Sequence, residues 1–247
     1  MRYYHAEHES AYRRIERLGY TQWNDLFDES KAWTYDDFQT RSFLERVIPH
    51  LNLPAVSAPS VFEYGCGTGP AACYLAARGF EVDAIDLIPE AIAIARRMAE
   101  ERGVRVAFHV ADVCALAAEP VTRRYDLVLD SYCLQSIVID EDRRALFSAV
   151  QARLKPSGYY VISTAFRAPG REYEPGSYDA STGILYREVP AGTVADQVVE
   201  IDGRWHIPHR RHLTANALRD ELVSAGFHVL SLKHTDGVDV VCRLGPY

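Results

Sequence analysis

Between residues 60 and 165, short apolar runs alternate with longer stretches in which apolar residues recur at helical spacing. The runs at 61–64, 80–86, 104–110, 125–130 and 159–164 read as strands. Several are apolar at consecutive positions, as strands buried on both faces are. Helices are predicted to open at Pro70 and Pro89, because a proline in the first turn has no hydrogen bond to lose. Residues 141–154 form an amphipathic helix. This rhythm predicts an α/β domain with a parallel sheet and right-handed crossovers. Ahead of it, residues 1–53 carry two helices, around 9–18 and 35–48. They are dense in aromatics: Tyr3, Tyr4, Tyr12, Tyr20, Trp23, Phe27, Trp33, Tyr35, Phe38 and Phe43. The alternation breaks over 166–213, a turn-rich polar segment with strands near 184–189 and 196–203. It resumes at Thr214, an N-cap, with a helix ending at Gly226. Strands at 227–234 and 238–243 follow, joined by Thr235-Asp236-Gly237, a hairpin signal.

The glycines after the first run turn this fold into a binding site. Residues 61–69 read Val-Phe-Glu-Tyr-Gly-Cys-Gly-Thr-Gly, with Gly65, Gly67 and Gly69 at alternate positions before Pro70. A turn this tight lets a ligand lie on main-chain N–H groups at a helix N-terminus. The dinucleotide fingerprint would place its third glycine where Pro70 stands. With Glu63 two residues ahead, the segment instead resembles motif I of the class I S-adenosylmethionine-dependent methyltransferases. Asp86 ends the second strand 21 residues after Gly65, where a carboxylate can accept ribose hydroxyls. Ala111-Asp112-Val113 resembles the family's adenine-binding segment, and Asp130 with the following Ser-Tyr-Cys-Leu-Gln resembles its motif IV, whose loop faces the transferred methyl.

The resemblance implies a Rossmann-like, seven-stranded, mostly parallel sheet with an antiparallel last strand and helices on both faces. A single domain of 247 residues is expected: an N-terminal helical cap (1–53), a cofactor core (54–165), an acceptor-side insertion after the fifth strand (166–213) and a closing helix and hairpin (214–247). It also implies S-adenosylmethionine as cofactor, held by Glu63, Gly65, Cys66, Gly67, Gly69, Asp86, Leu87, Asp112, Val113 and Asp130, with S-adenosylhomocysteine as product. The acceptor is expected to be a small metabolite attacking through nitrogen, oxygen, carbon or sulfur, as in natural-product pathways.

Composition narrows the partners. A net charge of −7 argues against a nucleic-acid surface. The five cysteines show no metal or redox spacing. The polar N-terminus and the absence of a long apolar run point to a cytoplasmic protein that does not enter a membrane. For deprotonating the acceptor, the histidines at 206, 209 and 212 stand out. Their spacing invites a metal, but Pro208 bars the helix that would align them, and no metal is expected. Either His206 or His209 serves as general base, or the segment is a lid whose histidines only hydrogen-bond. Tyr132 is a further catalytic candidate. Substrate candidates are Tyr132, Gln135, Trp205 and Arg210, with Arg211 an alternative grip on an acidic acceptor. Cys133 reads as a small buried loop residue, and Arg41 as a possible partner of the cofactor carboxylate. Three rivals are weighed. A nicotinamide oxidoreductase lacks its third glycine and its Tyr-x-x-x-Lys pair. A non-catalytic binding protein and a cofactor-dependent enzyme of non-methylating chemistry stay open.

Overall fold

The computed structural model describes residues 2–26, 34–55, 57–173, 177–234 and 237–245. Phe27, Trp33 and the Thr235-Asp236 step of the expected hairpin lie outside these residues. The N-terminal region contributes α1 (His5–Leu18) and α2 (Arg41–Val47), and the core follows as β1 (Ser60–Tyr64), α3 (Pro70–Ala76), β2 (Glu81–Asp86), α4 (Pro89–Glu101), β3 (Ala107–Val110), β4 (Tyr125–Ser131), α5 (Asp140–Arg153) and β5 (Leu154–Thr164). The insertion folds as β6 (Tyr178–Asp179), β7 (Ile184–Val189), β8 (Val199–Ile201) and β9 (Arg204–Arg211); α6 (Ala215–Ser224), β10 (Phe227–His234) and β11 (Val238–Leu244) complete the chain.

Seven strands form one sheet in the order β10-β11-β5-β4-β1-β2-β3. The last strand, β11, runs antiparallel to both its neighbours, and the core strands are parallel. Consecutive residues of each central strand face opposite cores. Phe62, Val128, Tyr160 and Ile162 pack with Leu146, Phe147 and Val150 of α5 and Leu218 and Leu222 of α6. Val61, Leu127, Leu129 and Val161 pack with Leu44 of α2, Leu75 of α3 and Ile92 of α4. Strand order reverses between β1 and β4, so the loops at their carboxyl ends part and leave a crevice.

The pattern and the structure differ in several places: the helix expected over 35–48 is confined to Arg41–Val47 and the strand expected over 196–203 to Val199–Ile201. Helix α1 starts at His5 rather than near residue 9, because its buried stripe, Tyr12 and Ile15, continues back to Tyr4. Strand β5 begins at Leu154, ahead of the turn expected at Lys155–Gly158; a register shift between Tyr125 and Leu127 lets β4 follow it. The largest difference is β9. The histidine-rich segment, for which no strand was expected, is a strand of a second, antiparallel sheet ordered β6-β7-β9-β8. Asp202 and Gly203, with φ of 50° and 75°, make the turn from β8 into β9. Pro208 is tolerated because β8 pairs with β9 only from Arg204 to His206. No β8 residue stands opposite the proline, and on the other side β9 itself bulges at the neighbouring His209. Among the described residues no helix is long and apolar enough to cross a membrane.

Candidate cofactor and acceptor site

The glycine loop follows β1 directly, with φ of 60°, 55° and 79° at Gly65, Gly67 and Gly69. This left-handed backbone strains any other residue. Space forbids a side chain as well. A Cβ on Gly65 would run into the Cys133 thiol, one on Gly67 would lie 2.8 Å from the Tyr12 hydroxyl, and one on Gly69 would lie 2.7 Å from the Phe108 ring. Asp86, at the tip of β2, holds the loop: its carboxylate accepts the Gly67 N–H and the Ile88 N–H, each at 2.9 Å. Burial pushes this carboxyl up to about 6, against the opposing effect of those hydrogen bonds.

Two further carboxylates lie beside it on β1 and β4. Glu63 is 1% exposed and Asp130 fully buried. Asp130 accepts the N–H groups of Cys133 and Leu134 through Oδ1, and burial raises it to about 7. Burial, with Asp130 and Asp86 nearby, holds the Glu63 carboxyl well above the usual range. Glu63 Oε2 and Asp130 Oδ2 have no hydrogen-bond partner among the described residues. Buried orphan oxygens of this kind are costly and call for a donor. A ligand carrying positive charge and N–H or O–H donors fits this cluster, and an adenosyl sulfonium bearing an amino-acid tail is such a ligand.

Beyond Asp86 the crevice continues as a cleft of about 600 Å³ bordered by Arg2, Tyr3, Leu87 and Asp112. Asp112 caps its own turn through the Cys114 N–H at 2.9 Å and pairs with the Arg2 guanidinium at 2.7 Å. Arg2 also pairs with Asp142. Val113 turns its side chain into the core, while the Cys66 thiol is buried under the loop and raised well above its ordinary pKa by that burial. The loop after β4 sits against the glycines. Tyr132 takes a φ of 62°, uncommon for a bulky residue, and its N–H bonds the Ser163 carbonyl at 2.7 Å. The Gln135 amide oxygen accepts the Ala165 N–H at 2.9 Å, which ties this loop to the end of β5.

The three histidines of β9 and its end go to three different partners. His206 is buried, with Nδ1 3.0 Å from the Arg204 carbonyl. His209 Nε2 lies 3.0 Å from Glu7 of α1, and His212 Nδ1 3.0 Å from the Tyr173 hydroxyl. Burial lowers His212 to about 4. No three His, Cys, Asp or Glu side chains converge as metal ligands among the described residues. Arg210 reaches Glu7 at 3.1 Å, Arg211 reaches Asp140, and Trp205 is half-buried in the second sheet. His206 and His209 line a second cleft of about 880 Å³ with Tyr173, Tyr186 and Arg187. Arg41 is paired with Glu45 at 2.9 Å and donates to the Asp36 carbonyl at 3.0 Å.

Glu7 of α1, which the sequence did not single out, and the aromatics Tyr3 and Tyr12, read there only as part of an aromatic-rich segment, also frame the site. Glu7 collects His209, Arg210 and, at 3.4 Å, Arg187; these contacts and its neighbours hold its carboxyl down at about 2 although burial opposes them. Tyr12 covers Gly67, and the Tyr3 hydroxyl accepts the Val138 N–H at 2.5 Å beyond the β4 loop. The four-residue spacing of Tyr4, His8 and Tyr12 was the available signal. It reads as packing until the glycine loop is seen beneath it.

Residues 61–158 match the family model for a methyltransferase domain. A ubiquinone biosynthesis O-methyltransferase of Rickettsia canadensis is 28% identical over 154 residues, which cover 62% of this chain and 62% of that one. The chain thus spans about three fifths of the length of such curated relatives. Among solved structures, DhpI in complex with S-adenosylhomocysteine superposes with a TM-score of 0.62 at 20% identity over the whole of both chains. The 1,6-didemethyltoxoflavin-N1-methyltransferase of Burkholderia thailandensis gives 0.58 at 18% identity, covering 96% of this chain and 89% of that one. At such identities the likeness is one of fold.

Proposed function

We propose, from the methyltransferase-domain match over residues 61–158, that the chain is a class I S-adenosylmethionine-dependent methyltransferase that methylates a small metabolite, leaving S-adenosylhomocysteine. One observation carries the reading. The strand, left-handed glycine loop and helix N-terminus are ringed by the buried carboxylates of Glu63, Asp86 and Asp130; Asp86 holds the loop with both its oxygens, while Glu63 Oε2 and Asp130 Oδ2 have no partner among the described residues and suit a cationic ligand. The cofactor supplies a methyl group on positively charged sulfur. The protein's part is then to bind, orient and exclude water. Asp86 and Leu87 would hold the ribose, Asp112 and the 600 Å³ cleft the adenine, and Glu63 and Asp130 the cationic tail. Gln135 and Tyr132 shape the loop against which the acceptor is aligned. The half-buried cleft at Tyr173, Tyr186, His206 and His209 is of a size for a small molecule. The negative net charge supports a metabolite over a nucleic acid, as do the names of a similar ubiquinone biosynthesis O-methyltransferase and of a fold neighbour, a 1,6-didemethyltoxoflavin-N1-methyltransferase. We place the reaction in the cytoplasm. The test is transfer of a labelled methyl from S-adenosylmethionine in the presence of a metabolite extract. Label is expected in the low-molecular-weight fraction; label in protein or RNA alone would overturn the choice of acceptor.

A further inference from the structure

Building on the methyl-transfer reading, we propose that His8 is a further catalytic residue whose Nε2 takes the proton from a hydroxyl acceptor. Tyr4, His8 and Tyr12 stand one helical turn apart on the buried face of α1. The His8 ring lies 5.6 Å from Tyr4 and 5.1 Å from Trp23, which in turn packs 5.4 Å from Tyr12. Tyr12 ends on Gly67. At the other end of the row, Tyr3 bonds the main chain just after the β4 loop, at Ser136 and Val138. His8 is therefore held between the glycine loop and the loop that faces the transferred methyl. Beside it, Glu7 fastens α1 to His209 and Arg210 of the second sheet. The cofactor crevice and the acceptor-side insertion meet at this helix turn.

Within that junction His8 Nε2 is buried and has no hydrogen-bond partner among the described residues. An imidazole nitrogen that is only structural finds a partner or reaches water. With its proton on Nδ1, the ring presents a lone pair to whatever occupies the site. Burial first, then Arg210, lowers His8 to about 3, so it is neutral and ready to accept throughout the physiological range. Its low basicity suits a hydroxyl acceptor, in keeping with the O-methyltransferase names of the curated relatives. An amine, once methylated, keeps its proton against so weak a base. A hydroxyl does not: when its oxygen lone pair forms the new O–CH3 bond, the carbon–sulfur pair stays with sulfur as a neutral thioether, and the oxygen becomes an oxonium acid far stronger than imidazolium. The O–H proton then moves to Nε2, leaving a methyl ether and a protonated His8 that Glu7 helps to stabilise.

The test needs no knowledge of the natural acceptor. In sinefungin a carbon bearing an amino group replaces the sulfonium sulfur and its methyl, so N–H donors project where the methyl would. Calorimetric titration of the wild type, His8→Leu and His8→Gln with sinefungin and with S-adenosylhomocysteine separates the two ends of the site. His8→Leu is expected to weaken sinefungin about tenfold while S-adenosylhomocysteine stays within about twofold. His8→Gln, whose amide oxygen restores an acceptor, should recover most of the loss. Equal losses for both ligands, or an unchanged sinefungin affinity, overturn the role of His8. Failure of both ligands to bind the wild type overturns the methyl-transfer reading itself, and the role of His8 with it.

Discussion

Asp86 accepts two main-chain N–H groups from the loop it anchors, yet burial still raises its carboxyl to about 6, and Asp130 stands at about 7. Raised carboxyls favour the folded protein below their ordinary value of 3.8 and lose that contribution as pH rises through 6 to 7. A cationic ligand reverses the preference, because it binds the ionised forms. Affinity for S-adenosylmethionine should therefore rise between about pH 5 and pH 8, by at most about tenfold per unit for each carboxylate involved. Asp130→Asn should flatten the slope; a flat wild-type profile in calorimetry would contradict this assignment. Asp86→Ala should cost about 1–3 kcal/mol of cofactor affinity through lost charge-assisted bonds. Unchanged affinity would remove Asp86 from the ribose site. These acids were legible in the sequence because each lies at a fixed short distance from a strand end or a glycine. His8 and Glu7 were not, since their partners are far along the chain.

At the scale of elements, the same division holds. The core helices and strands declare themselves through local apolar spacing, first-turn prolines and glycine stops. Strand β9 does not, because its evidence is pairing with Ile184–Val189 and Val199–Ile201, and Pro208 by itself only bars a helix. The Asp202-Gly203 step, a two-residue hairpin signal, was the local clue. Helix α1 has its own nonlocal fastenings. Arg2 pairs with Asp112, Arg13 with Glu90 at 2.9 Å, and Glu7 with the β9 cations. Among these, Glu7 alone ties α1 to the insertion. Glu7→Gln should raise amide exchange in α1 and β9 together while leaving β1, β4 and β5 protected. Exchange confined to α1 would show that the helix and the second sheet move independently.

At the scale of the whole molecule, a seven-stranded sheet supplies a crevice at its switch point, and the parts outside the core close over it. α1 covers the glycine loop, while the second sheet meets α1 at Glu7. The chain keeps a net charge of −7 and places three of its carboxylates, without a bonded cation among the described residues, beside the glycine loop. That arrangement suits a positively charged adenosyl cofactor and disfavours a doubly negative pyrophosphate. The most direct measurement is a calorimetric titration of the whole protein with S-adenosylmethionine and, separately, with NADH. One molecule of S-adenosylmethionine per chain and no heat of binding from NADH are expected; saturable binding of NADH with none of S-adenosylmethionine would contradict a methyl-transfer site.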